Sequence, residues 1–214
     1  MFKEFLREYI DTDIQLTKKE KIVIFCLVFV IGGIFGWFYE FLFYWMNSGF
    51  RTFYWRGANY LPWINIYAYG SFLIIFLTYQ FRKKPWLVLL ISMISTGILE
   101  YCTGYVIYGK LGWIRCWDYN QEILNFGNVN GYICLRSITV FGISGLILMY
   151  GMLPLFIKIA KEFNIKKMLI LSILLFSIFF IDNAYNFMLY KYFPIPKASD
   201  FYKEKGFNYL YFSD

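Results

Sequence analysis

Residues 22–46 read IVIFCLVFVIGGIFGWFYEFLFYWM, with Glu40 the one charged side chain among them. A run this long and apolar exceeds the roughly 20 residues that a helix needs to cross a hydrocarbon layer of about 30 Å. Thr17 and Glu20 just before it have the spacing of a capping box, in which each side chain accepts a backbone N–H at a helix start. The stretch therefore predicts a membrane-spanning helix that begins beside Lys21.

The rest of the chain extends this reading. Of 214 residues, 59% are hydrophobic, 24% aromatic and only 16% charged, against about 25% charged in a soluble globular chain. Apolar runs predict further spans at about 62–81, 86–108, 132–157 and 168–190, the last one weakened by Asp182, Asn183 and Asn186. The expected fold is all-α, a polytopic transmembrane helix bundle of about five spans. Residues 1–20 form an N-terminal segment, 21–190 the transmembrane domain and 191–214 a tail. Phe2, Phe5, Leu6, Tyr9 and Ile10 recur at helical spacing among charges, which predicts a short amphipathic helix on the membrane surface. No small-residue cleavage site follows the first apolar run, so that run is expected to stay in the protein. Gly57, Pro62 and Gly70 predict a bent entry into the second span.

Orientation follows from lysine and arginine. Five precede the first span, three (Arg82, Lys83, Lys84) follow the second and four (Lys158, Lys161, Lys166, Lys167) follow the fourth, while the other two connections carry two each. The positive-inside rule then places the N-terminus in the cytoplasm of a multi-pass plasma-membrane protein. An odd number of spans puts the tail outside, although its four lysines argue mildly the other way.

Several chemistries lose their usual ligands. There is no histidine, and Cys26, Cys102, Cys116 and Cys134 lack metal-ligand spacing, so no metal or cofactor is expected and any catalysis would rest on carboxylate, Tyr, Lys or Arg. Cys116 and Cys134 could pair if they lie on one side of the membrane. The net charge of +7 is accounted for by topology and anionic lipid, and nucleic acid is set aside as a partner.

Depth is the informative coordinate for the buried charges. At 1.5 Å per residue, Glu40 lies about 28 Å along the first span from Lys21, Glu100 about 22 Å from Pro85 and Asp182 about 21 Å from Met168, while Arg136 enters the fourth span at the same outer level. Charges at such depth normally face the bundle interior, pair, and mark a functional pathway. The expected pairing is Arg136 with Glu40, Glu100 or Asp182. A purely structural polar latch is the plainer alternative. Glu40 and Glu100 are 60 residues apart, each followed some fifteen residues later by Trp and Arg, which hints at a parallel repeat of spans 1–2 and 3–4.

The stretches GWFYE at 36–40, RGANYLPWINIYAYG at 56–70, LEY at 99–101, WDY at 117–119 and NGYICLR at 130–136 are similar, in order and spacing, to the ABC-transporter permease family of type IV, also called CmpB-like. The similarity covers roughly residues 21–156. It implies an integral membrane transport component whose partner is a separate ATPase or another membrane subunit. The chain carries no G-x-x-x-x-G-K-[ST] motif of its own. The candidate ligand-binding cluster is Glu40, Arg56, Glu100, Trp117, Asp118, Asn130, Arg136 and Asp182. Two other classes stay open, a lipid-modifying enzyme using Glu40 and Glu100 as a carboxylate pair, and an assembly protein whose Trp-rich loop packs on another membrane protein.

Overall fold

The Thr17 side chain accepts the Glu20 amide while the Glu20 carboxylate accepts the Thr17 amide, so the predicted capping box forms and helix α2 starts at Lys18. The computed structural model describes residues 2–112 and 115–209. Among these residues the helices are α1 (Phe2–Asp11), α2 (Lys18–Asn47), α3 (Asn65–Thr78), α4 (Pro85–Gly104), α5 (Leu135–Ile147), α6 (Leu153–Glu162), α7 (Ile165–Phe187) and α8 (Ala198–Glu204). Two short segments, β1 (Tyr54–Trp55) and β2 (Asn208–Tyr209), pair in parallel. The architecture is the all-α bundle expected from the apolar runs.

Four rods among the described residues are long and apolar enough to cross a membrane: Lys18–Asn47, Pro85–Lys110, Leu135–Glu162 and Ile165–Phe187. The second and third include π-helical turns at Tyr105–Lys110 and Leu148–Met152. The latter lies just before Pro154, whose missing N–H and bulky ring disturb the helical ladder. The fifth rod is shorter. α3 has 14 residues, about 21 Å, and the 3₁₀ turn Tyr79–Phe81 adds roughly 6 Å.

The expected start of that rod at Pro62 is corrected to Asn65. Ahead of it Gly57 takes φ +78° and Ile64 is extended, while the Ile64 amide donates to the Gly33 carbonyl. The entry is therefore an irregular loop running into α3. Gly70 plays no part in it, being regular helix packed near Leu99 and Thr96.

α2 is the central element, packed on α3, α7 and α6, while α3 packs on α4 and α4 on α5. Close approach depends on small residues. A Cβ on Gly36 would lie 2.0 Å from Cγ of Tyr67, and one on Gly145 would lie 2.2 Å from Oγ of Ser92.

The two ends of the bundle differ. At the basic end, Arg82 donates to the carbonyls of Tyr9 (2.9 Å) and Thr12 (3.1 Å) and to the Asp13 carboxylate (2.6 Å). Tyr9 is fully buried among Val23, Val88, Met149 and Ile157, with Phe5, Leu6 and Ile10 packed beside it. α1 therefore turns its apolar face to the bundle. At the opposite end, residues 48–64 and 115–134 gather with the tail. Tyr202 donates to the Tyr60 carbonyl and stacks on Trp55 at 3.9 Å between ring centroids. The tail thus sits at the end opposite the N-terminus, as an odd number of traverses requires. All four cysteines are free thiols, so the Cys116–Cys134 pairing is not formed.

Candidate functional site

Near the loop end, where α2, α4 and α5 lose their purely apolar character, Tyr39, Glu40, Phe43 and Tyr44 of α2, Tyr67 of α3, Glu100 of α4 and Arg136, Ser137 and Phe141 of α5 surround a cavity of about 30 Å³. The loop at 115–134 closes it with Trp117, Tyr119 and Glu122. Such a volume admits about two water-sized groups.

Three carboxylates meet there in different ways. Glu40 accepts from Arg56 Nε at 2.8 Å, and the Arg56 guanidinium also donates to the Cys116 carbonyl at 2.9 Å while lying over the Tyr44 ring. Burial opposes the charge of Arg56, but Glu40 more than offsets this and leaves it more basic than usual. Glu122 accepts from Arg136 Nη2 and from the Tyr44 hydroxyl, both at 2.6 Å, and Arg136 Nη1 donates to the Ile123 carbonyl at 2.9 Å. Glu100 is held by hydroxyls, from Tyr119 at 2.6 Å and Ser137 at 2.8 Å. Burial, and then the facing Glu100, push the Tyr119 phenol well above its ordinary range, which keeps it a donor. Burial likewise raises the Cys116 thiol.

The predicted pairing of Arg136 is corrected. Its carboxylate partner is Glu122, which hangs from a loop, and neither Glu40, Glu100 nor Asp182 forms an ion pair with it. Glu122 belongs to a loop that folds back into the bundle, so depth along a helix does not locate it.

Of the eight candidate residues, Glu40, Glu100, Trp117 and Arg136 line the cavity, and Arg56 adjoins it through Glu40. The other three lie elsewhere. Asp118 pairs with Arg115 at 3.2 Å and accepts the Asn120 amide. Asn130 is an exposed turn residue at φ +57° that donates to the Tyr101 hydroxyl. Asp182 accepts the amides of Tyr60 and Leu61, each at 3.0 Å.

Sequence reasoning missed Glu122, Tyr44, Tyr67, Tyr119 and Ser137. Tyr44 gave a usable signal, since it falls one helical turn after Glu40 and shares its face. Glu40 and Glu100 do face one cavity as the repeat would have it, but an arginine serves one and a tyrosine the other.

The layer holds three acidic and two basic side chains, and Glu100 is the carboxylate with no cation bonded to it. Arg136 Nε is buried and has no acceptor among the described residues. Among the described residues no three Cys, Asp or Glu side chains gather closely enough to hold a metal ion.

The family model described as Putative ABC-transporter type IV matches residues 27–187, more than half of the chain. No curated protein and no solved structure matches it.

Proposed function

The chain belongs to the ABC-transporter type IV family, and from that premise we propose that it is the permease-like membrane subunit of a transporter, with the cavity between Glu40, Glu100 and Arg136 as its polar transport site. The observation that carries this reading is Glu100, a carboxylate about 22 Å along its helix that faces the cavity with only hydroxyl donors on it. Ionisable groups at that depth are expensive and by default mark a functional pathway.

The N-terminus and the Arg82 turn face the cytoplasm of the plasma membrane in this reading, because lysine and arginine concentrate there. The energy comes from a separate ATPase. Arg82 ties α1 to the turn between α3 and α4, so a partner that pushes on α1 also moves the ends of those helices.

Affinity purification of the tagged full chain in mild detergent tests this. A stoichiometric ATPase that hydrolyses ATP in the recovered complex is the expected result, and recovery of the chain without one would defeat the transport reading. A cysteine placed at Lys83 should react with an impermeant reagent only after the cells are opened. Labelling in intact cells would reverse the orientation.

A further inference from the structure

At the basic end, far from the polar cavity, the start of α2 and the α6–α7 turn enclose an open groove of about 530 Å³. Ala160, Phe163 and Ile165 line it together with Lys18, Lys19 and Lys161. Among the described residues none of these three lysines forms an ion pair. Lys161 gives one N–H to the Gln15 carbonyl, leaving two. Glu20 is also at the groove, but its carboxylate is turned to the Thr17 amide at 2.7 Å.

Two of the groove lysines, Lys18 and Lys19, oppose the dipole of the helix they open, while Lys161 lies in the last turn of α6, where a cation is favoured. The one acidic residue in the first turn of α2 is Glu20, whose carboxylate is taken up by the Thr17 amide, and nearby Lys166 and Lys167 open α7, which has no acidic residue in its first turn. A helix N-terminus favours anions, so cations there cost stability unless an anion lies among them. We propose that this groove binds the phosphate headgroup of an anionic phospholipid. The proposal requires only that the helices sit in a bilayer, and it is independent of the transport reading.

The apolar half of the groove selects a lipid over free phosphate. Phe163 is 60% exposed, and Ile22 and Phe25, one and two turns beyond Lys18, are 44% and 38% exposed. A phosphate ion would leave this surface wet. A phospholipid seats its phosphate among the lysines and lays its chains along Ile22 and Phe25.

The full chain in detergent micelles, titrated separately with phosphatidylglycerol, phosphatidylcholine and inorganic phosphate, provides the test. Phosphatidylglycerol should raise the unfolding midpoint by about 4 °C, with little effect from the other two. The variant K18Q/K19Q/K161Q should weaken the apparent affinity for phosphatidylglycerol roughly 100-fold, at about fivefold per lysine. The variant K18Q/K19Q keeps the Lys161–Gln15 contact and should lose roughly 25-fold, so the test survives if the triple variant fails to fold. K83Q/K84Q/K191Q removes the same charge elsewhere and should stay within about threefold of the native chain. An equal shift with phosphatidylcholine, a full shift with inorganic phosphate alone, or unchanged affinity in both groove variants would overturn the site.

Discussion

Arg136 on α5 donates to Glu122 of the 115–134 loop at 2.6 Å, so a loop side chain, and no residue of another span, neutralises the arginine at the cavity. Both side chains are largely buried, at 11% and 4% exposed. Glu122→Gln should therefore cost about 3 kcal/mol, because the guanidinium is left without its counter-charge. Arg136→Lys should be nearly as damaging. An ammonium is a point charge that cannot reach the Glu122 carboxylate and the Ile123 carbonyl as the planar fork does. Glu100→Gln strands no cation and should cost about 1 kcal/mol. Denaturant unfolding in detergent ranks the three, and a larger loss for Glu100→Gln than for Glu122→Gln would contradict the pairing.

Close packing of α2 on α3 makes Gly36 intolerant of a single methyl group. A Cβ there would meet Cβ, Cγ and Cδ2 of the Tyr67 ring at 2.0–2.4 Å, and Tyr67 stacks in turn on Phe141, so the ring has no simple escape. Gly36→Ala is expected to destabilise by about 3 kcal/mol through overpacking. Gly151→Ala is the matched control, since nothing lies within 4 Å of its added methyl. It should be neutral or gain up to about 1 kcal/mol from helix propensity. Equal losses at the two positions would mean that α3 gives way freely.

The rods themselves were legible because an apolar run longer than a bilayer is thick has few alternatives, and because Thr17 with Glu20 and Pro85 mark helix starts whose chemistry is local. What escaped was long-range. Nothing in the stretch around Glu122 announces that it turns inward to meet a helix fourteen residues on, since that depends on how the loop closes over Tyr44 and Arg136. Asp182 was given the wrong partners. Its acceptors meet backbone amides of an irregular loop, a class of donor that periodicity and charge counting do not see. Tyr9 shows the same limit, because an amphipathic face reads alike whether lipid or a bundle covers it.

Arg82 should act as the clamp of the N-terminal segment. It holds two carbonyls and one carboxylate from residues 9–13, and its own carbonyl accepts from the Tyr150 hydroxyl at 2.9 Å. Arg82→Gln removes most of these donors without touching the apolar contacts of Tyr9. Hydrogen exchange over residues 2–13 should then accelerate at least about tenfold, the equivalent of roughly 1.4 kcal/mol of local stability, while α4 stays protected. Arg82→Lys should recover little, because one ammonium cannot span three acceptors. Unchanged exchange in Arg82→Gln would assign the docking of α1 to its apolar face alone.

Asp182 is expected to hold the loop end together rather than to serve the cavity. One carboxylate oxygen accepts from the Tyr60 amide and from Asn186 Nδ2, and the other from the Leu61 amide. Asn186 in turn accepts the Ala198 amide at 2.6 Å, so a single chain of hydrogen bonds runs from α7 to the 57–64 loop and on to the start of α8. Asp182→Asn keeps the shape of the side chain but replaces one acceptor by a donor. Whichever way the amide turns, an N–H faces Tyr60 N or Leu61 N and one buried amide loses its partner, a penalty of about 1–3 kcal/mol. Exchange should quicken at residues 57–64 and at Ala198, while α1 and its Arg82 contacts at the far end remain as slow as before. A latch of this kind predicts that transport, once an assay exists, falls in proportion to the folded fraction. If Asp182→Asn instead abolished transport with the 57–64 amides still protected, Asp182 would belong to the transport path and the structural role would be wrong.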